Sequence, residues 1–187
     1  AAAEISGIGL TLLPVFYAHS GFGGAPPHAG QKRFISTPDE FAKLVEGSVI
    51  AVASLTNSRV GIAPHSLRAV TKTELTEILS LARISPIHIH IAEQTREVED
   101  CRAWCGKSPV TWLMENAPVD SRWCLVHATH VDEAELRAIA ASGAVAGLCP
   151  ITEANLGDGV FPLGDFLAHS GRIGIGSDSN VYISAAE

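Results

Sequence analysis

Apolar runs of strand length alternate along this chain with stretches that carry helix-start and helix-stop signals. Residues 8–15 (Ile8-Gly-Leu-Thr-Leu-Leu-Pro-Val15) form a continuous apolar run, the pattern of a strand covered on both faces. They open into a loop over 17–30 rich in Gly, Pro and His, whose Gly21-Phe-Gly-Gly24 stretch has no following helix to make it a phosphate cradle. A substrate loop and a plain connector both fit it. Thr37-Pro-Asp-Glu40 opens a helix, with an N-cap, a proline in the first turn and a glutamate three residues past the cap. Residues 48–58 have strand-like composition where a helix end and a loop are due, and 61–64 read as a short strand. Thr71-Lys-Thr-Glu74 repeats the capping pattern and predicts a helix to about Arg83.

A strand over 86–92 follows, then helices across 97–104 and 109–116. Residues 123–126 predict a strand ending at His127; Asp132 with Glu135 caps the next helix, and Gly143 is placed to end it. A strand over 144–149 runs into a polar loop, Thr152-Glu-Ala-Asn-Leu-Gly-Asp-Gly159. A helix over 163–170 stops at Gly171, and the last strand, 172–176, leads at once into Ser177 and Asp178. About six apolar strands joined by helical crossovers argue a parallel sheet of the α/β class. With no linker and no internal repeat, residues 1–187 read as a single domain. A doubly wound sheet and part of a (β/α)8 barrel fit this alternation equally.

Composition narrows the function classes. With 47% hydrophobic residues over 187 positions the chain can bury a core. A net charge of −7 without a basic patch excludes nucleic acid as the expected partner. No apolar run approaches the roughly 20 residues of a membrane span. Cys101, Cys105, Cys124 and Cys149 show no Cys-x-x-Cys spacing and read as buried thiols of a cytoplasmic protein. The opening Ala-Ala-Ala-Glu reads as a helix tail, and the close, Ile183-Ser-Ala-Ala-Glu187, stops within well-patterned sequence, so the domain is expected to be cut at both ends.

The chemistry gathers on the strand Pro86-Ile-His-Ile-His-Ile-Ala92. Side chains alternate faces in a strand, so His88 and His90 point one way and Ile87, Ile89 and Ile91 the other. Taken alone, the imidazoles fit a hydrogen-bonded buried pair as well as a metal site. Other strands end in the same kind of group, however. His65, His90 with Glu93, His127 and Asp178 each lie at or just past the carboxyl end of a strand. Catalytic groups drawn from several strand ends are the barrel arrangement, whereas a doubly wound sheet collects them at one crevice. Imidazoles and carboxylates together can hold a divalent ion and move protons. Nucleophilic serine catalysis lacks its Gly-x-Ser-x-Gly elbow here. His19, His28, His130 and His169 read as surface or loop histidines, and Arg68 as either a solvated helix-start residue or a ligand.

The blocks Ala63-Pro-His-Ser-Leu-Arg-Ala-Val70, His88-Ile-His-Ile-Ala-Glu-Gln94, Val126-His-Ala-Thr-His130, Thr152-Glu-Ala-Asn-Leu-Gly-Asp-Gly159 and Gly176-Ser-Asp-Ser179 resemble the amidohydrolase superfamily over nearly the whole chain. The resemblance implies a metal-dependent (β/α)8 barrel, with this chain covering roughly its third to eighth strands. It implies that His90 and Asp178 are metal ligands, most simply of one zinc. Glu93, His127 and Asp178 would be the catalytic groups, and His65 and Arg68 would hold the substrate. An arginine fits that place because its planar fork pairs with a carboxylate. The family's first-strand His-x-His has no counterpart, so residues 1–187 are expected not to complete the site alone.

The Glu-Ala-Asn-Leu-Gly-Asp-Gly and His-Ser-Leu-Arg blocks narrow the implied reaction. It is hydrolysis of the C=N bond of N-formimino-L-glutamate to N-formyl-L-glutamate and ammonia, a step of histidine degradation. The expected partner is therefore a small molecule with a glutamate moiety, with a homodimer the one protein association allowed for. Two alternatives stay open: another deaminase or cyclic amide hydrolase on the same barrel, and a catalytically incomplete fragment that binds metal.

Overall fold

A computed structural model of the protein describes residues 2–178. Ser179 and the closing segment Ile183-Ser-Ala-Ala-Glu187 lie outside the described residues. The chain groups into two compact units, Ala1–His88 and Ile89–Glu187.

In the first unit a short helix α1 (Ala2–Ser6) leads to β1 (Leu10–Leu12) and β2 (Val15–Phe16). The sequence predicts one strand here. Pro14 has no N–H for the ladder, and the strand divides around it. Pairing nevertheless continues past the break. β1 runs parallel to β3 (Ser58–Val60) with Leu10 opposite Ser58, and β2 runs parallel to β4 (Ala63–Pro64) with Val15 opposite Ala63. The Ala63 N–H reaches the Pro14 carbonyl at 2.8 Å across the junction.

Helix α2 (Pro38–Val52) starts where Thr37 predicts. Its hydroxyl accepts the Glu40 N–H at 3.3 Å, and the Glu40 carboxylate accepts the Thr37 N–H at 2.8 Å. The strand-like stretch 48–58 resolves into the end of α2, a turn and the start of β3. Thr71 and Glu74 form the same box on α3 (Lys72–Leu79), which ends short of Arg83. Phe16 and Phe41, both fully buried, meet edge to face with centroids 5.4 Å apart, and Leu75 and Ile78 of α3 are buried as well.

The second unit carries the regular βα repeat. β5 (Ile87–Ile91), whose first two residues end the first unit, β6 (Trp123–His127), β7 (Val145–Leu148) and β8 (Arg172–Ile175) lie side by side in that order. β6 pairs parallel with β7, and β7 with β8. Helices α4 (Thr95–Cys105) and α5 (Pro109–Asn116) connect β5 to β6, and α6 (Glu133–Ser142) connects β6 to β7. Gly143 ends α6 at φ +76°, a conformation that residues with a Cβ rarely adopt.

Between β7 and β8 the structure departs from the sequence reading. The polar block at 152–159 is not all loop: helix α7 (Pro150–Leu156) begins at Pro150 and closes on Gly157 in the left-handed region, before α8 (Leu163–Ala168). Trp123, Leu125, Leu113 and Phe166 are among the fully buried side chains. Because spatial order follows chain order through parallel crossovers, every strand's carboxyl end lies on one side of the sheet.

Candidate active site

The polar groups foreseen at the ends of β5, β6 and β8 do collect. Along β5 burial alternates, with Ile87, Ile89 and Ile91 buried and His88 and His90 partly exposed, so both imidazoles leave the apolar face as the period of two requires. The His90 ring stacks on His127 with centroids 5.7 Å apart and planes 29° from parallel. Around His127 stand two carboxylates: Nε2 is 3.6 Å from Glu93 Oε1 and 4.0 Å from Asp178 Oδ2. Both distances exceed a direct hydrogen bond. His127 itself is 1% exposed, whereas Glu93 and Asp178 are reachable from solvent, so a buried imidazole meets two accessible carboxylates.

The backbone is bent to make the arrangement. Ala92, His127, Ala128 and Asp178 all have φ between 48° and 70°, and they account for all but one of the left-handed non-glycine residues among those described. Each such residue costs on the order of 1–3 kcal/mol, and strain of this kind gathers where geometry serves function. Here it turns the chain sharply at the ends of β5, β6 and just past β8.

A residue that sequence reading did not single out holds His127 from behind. Glu153 Oε1, from α7, lies 3.1 Å from His127 Nδ1 and accepts the Cys149 backbone N–H at 2.8 Å. Thr152 of the same helix donates to the Ser177 carbonyl, next to Asp178, at 3.4 Å. His127, Cys149 and Glu153 offer ligand atoms within 4.8 Å of one another. They are knit together by their own hydrogen bonds, and burial, with Asp178 and Glu153 nearby, pushes the Cys149 thiol up to about 12. The better donor set for an ion is the other face of His127. There His90 and Asp178 offer the nitrogen and oxygen ligands that zinc-type ions take, with His127 and Glu93 beside them. These residues fit such a group.

His65 and Arg68 follow β4 in the first unit. The His65 ring meets Tyr17 edge-on at 4.8 Å, and its Nδ1 is 3.1 Å from Ser66 Oγ. A cavity of about 430 Å³ opens here, lined by Val15, Tyr17, Gln31, Phe34 and His65. Arg68 is half-buried, and its Nε has no hydrogen-bond partner among the described residues. A guanidinium N–H kept from water without an acceptor is costly and suits an incoming carboxylate.

Of the histidines read as peripheral, His28 is exposed. His19 pairs with Glu74 at 2.9 Å and His169 with Glu133 at 3.1 Å. His130 is half-buried, and its Nε2 is shut away with Thr129 Oγ1 and Asp158 Oδ2, none of them hydrogen-bonded among the described residues.

Set beside known proteins, this geometry has a family. A model described as the amidohydrolase family matches residues 11–187, and the chain belongs to that family. Over its whole length it is 55% identical to the formimidoylglutamate deiminase of Pseudomonas aeruginosa, and it spans 41% of that relative. It is 32% identical over 122 residues to a 5-methylthioadenosine/S-adenosylhomocysteine deaminase of Natronomonas pharaonis, covering 64% of this chain and 28% of that one. Among solved structures, an amidohydrolase from Brucella melitensis superposes with a TM-score of 0.95 at 56% identity, over 98% of this chain and 41% of that one. An adenosine deaminase from Xanthomonas campestris with bound zinc shares the fold at TM-score 0.81 and 24% identity, over 95% and 38% of the two chains. The fold is the amidohydrolase-type α/β arrangement of parallel strands, part of the (β/α)8 barrel. Among the described residues no helix is long and apolar enough to cross a membrane.

Proposed function

We propose that the protein is a metal-dependent deiminase that hydrolyses N-formimino-L-glutamate to N-formyl-L-glutamate and ammonia. The observation that carries the reading is the convergence on His127 Nε2 of Glu93 and Asp178, at 3.6 and 4.0 Å, beside the stacked His90. Such a set can move protons to and from one small reacting group. The whole-chain likeness to a formimidoylglutamate deiminase supports the choice of substrate.

In this reading residues 1–187 belong to one catalytic barrel domain, and His90 and Asp178 hold the ion, which we take as zinc. When bound, it supplies an acidified water as nucleophile. Asp178 accepts the proton of the attacking water, and His127 stabilises the attacking oxygen or relays the proton. Glu93 protonates the imino nitrogen, so that the C–N bond to it breaks and ammonia leaves while the carbon keeps the oxygen. His65 and Arg68 hold the glutamate moiety, Arg68 by pairing its fork with a carboxylate. The four free cysteines and the substrate's chemistry suit a cytoplasmic enzyme of histidine degradation.

The test is product identity. Full-length, metal-loaded protein is expected to yield N-formyl-L-glutamate and ammonia in equal amounts. Formamide and glutamate instead, or no turnover, would overturn the proposal.

A further inference from the structure

Glu153 lies outside the set that acts on the substrate, yet it is the group most firmly fixed to His127. It sits on α7, 5% exposed, where Pro150 starts the helix and the Glu153 N–H returns to the Cys149 carbonyl at 3.0 Å. Its Oε1 takes two contacts, the Cys149 N–H at 2.8 Å and His127 Nδ1 at 3.1 Å. A backbone N–H only donates, so Oε1 accepts from Cys149, and a carboxylate in its ionised form has no proton to give to His127. With Glu153 ionised, Nδ1 is the donor of the second contact. In a neutral imidazole that leaves Nε2 as the bare nitrogen, and Nε2 is the atom facing Glu93 and Asp178.

We propose that Glu153 is a positioning residue for His127, holding it in the Nδ1–H tautomer with the Nε2 lone pair turned toward Glu93 and Asp178. The inference rests on the deiminase reading of this site and sharpens it. His127 enters the reaction as a proton acceptor at Nε2, which then donates the proton it has taken. The arrangement uses the logic by which a buried carboxylate fixes the tautomer of a catalytic or metal-binding histidine. The chain turns through the left-handed region at His127 and Ala128, and α7, from the next strand's crossover, sets Glu153 against the ring at Nδ1.

The experiment is nitrogen-15 NMR of the full-length protein labelled at histidine, with the His127 signals assigned from their absence in His127→Asn, before and after metal loading. Wild type is expected to show the proton on Nδ1. Glu153→Gln should keep that tautomer, because the Cys149 N–H holds the amide oxygen in the Oε1 place, and should retain much of kcat. Glu153→Met should lose it and lower kcat roughly 10- to 100-fold with KM little changed. A proton on Nε2 in the metal-free wild type, or full kcat in a folded Glu153→Met, would overturn the proposal. The NMR result does not depend on the substrate. A wild type with the Nδ1–H tautomer but no ammonia release would sink the deiminase reading and leave the positioning role standing.

Discussion

His127 Nε2 and Glu93 Oε1 stand 3.6 Å apart at the ends of adjacent parallel strands, one buried and the other open enough to meet a ligand. Glu93 is held from its backbone side, its N–H donating to Glu97 Oε2 at 3.0 Å. In the proposed mechanism Glu93 is a proton donor and not a metal ligand. Glu93→Gln should therefore lower kcat by about 100- to 10,000-fold. Metal content per chain, measured by elemental analysis, should stay near that of wild type. Loss of the metal in this variant would make Glu93 a ligand instead.

Arg68 presents a half-buried guanidinium with an unpartnered Nε. A charge-assisted hydrogen bond is worth about 1.5–3 kcal/mol, so Arg68→Met should reduce kcat/KM for N-formimino-L-glutamate roughly 10- to 100-fold, mostly through KM. A neutral formimino compound lacking the carboxylates should be turned over no worse than by wild type. An equal loss on both substrates would remove Arg68 from substrate recognition.

Two glycines should respond to alanine with opposite sign. A Cβ on Gly61 would meet the Pro86 carbonyl oxygen at 2.3 Å, a backbone atom that cannot swing aside. Gly61→Ala should cost about 1–3 kcal/mol or more of stability. Gly47 lies exposed in the interior of α2 with nothing within 4 Å of its Cβ position, and Gly47→Ala should stabilise by about 0.5–1 kcal/mol. Urea midpoints of the two variants measure both effects. A Gly61→Ala midpoint no lower than wild type would contradict the packing described at Gly61, and a lowered Gly47→Ala midpoint would contradict the open space at Gly47.

Glu74 links stability to pH. Burial alone would raise its carboxyl, but hydrogen bonds from the Thr71 hydroxyl and N–H, and the His19 ring, hold it below the ordinary value. A carboxylate with a depressed folded pKa contributes stability above its unfolded value of about 4.3, and that contribution fades as the pH falls toward the folded value. The melting-temperature gap between wild type and Glu74→Gln should therefore be widest near neutrality and narrow on acidification below about pH 4.3. A gap unchanged down to pH 3 would mean the carboxylate's charge contributes nothing.

Much of this was legible in the residues because local rules and the fold agreed. Thr37, Thr71 and Asp132 each announce a helix with a glutamate three residues on, and each box is formed. The alternation along 87–91 places His90 on the polar face, and His127 and Asp178 follow their strands directly. What stayed hidden depended on tertiary partners. Glu153 lies in a polar stretch that reads as loop, and only the α7 turn between Pro150 and Gly157 brings its carboxylate under His127. Val49 and Ile50 look like strand residues yet ride exposed on α2, since a short apolar run carries no period of its own. The cavity beside His65 joins Tyr17, from the start of the Gly-, Pro- and His-rich loop, to Gln31 just past its end, a meeting that neither stretch announces.

The central claim is that a metal held at His90 and Asp178 makes this protein a deiminase. Ammonia release from N-formimino-L-glutamate by the full-length protein, followed before chelation, after chelation and after adding back zinc, tests it most directly. The account predicts release that stops when the metal is stripped and returns when it is restored. Release that persists in fully metal-free protein, or none from folded, zinc-loaded protein, would contradict it.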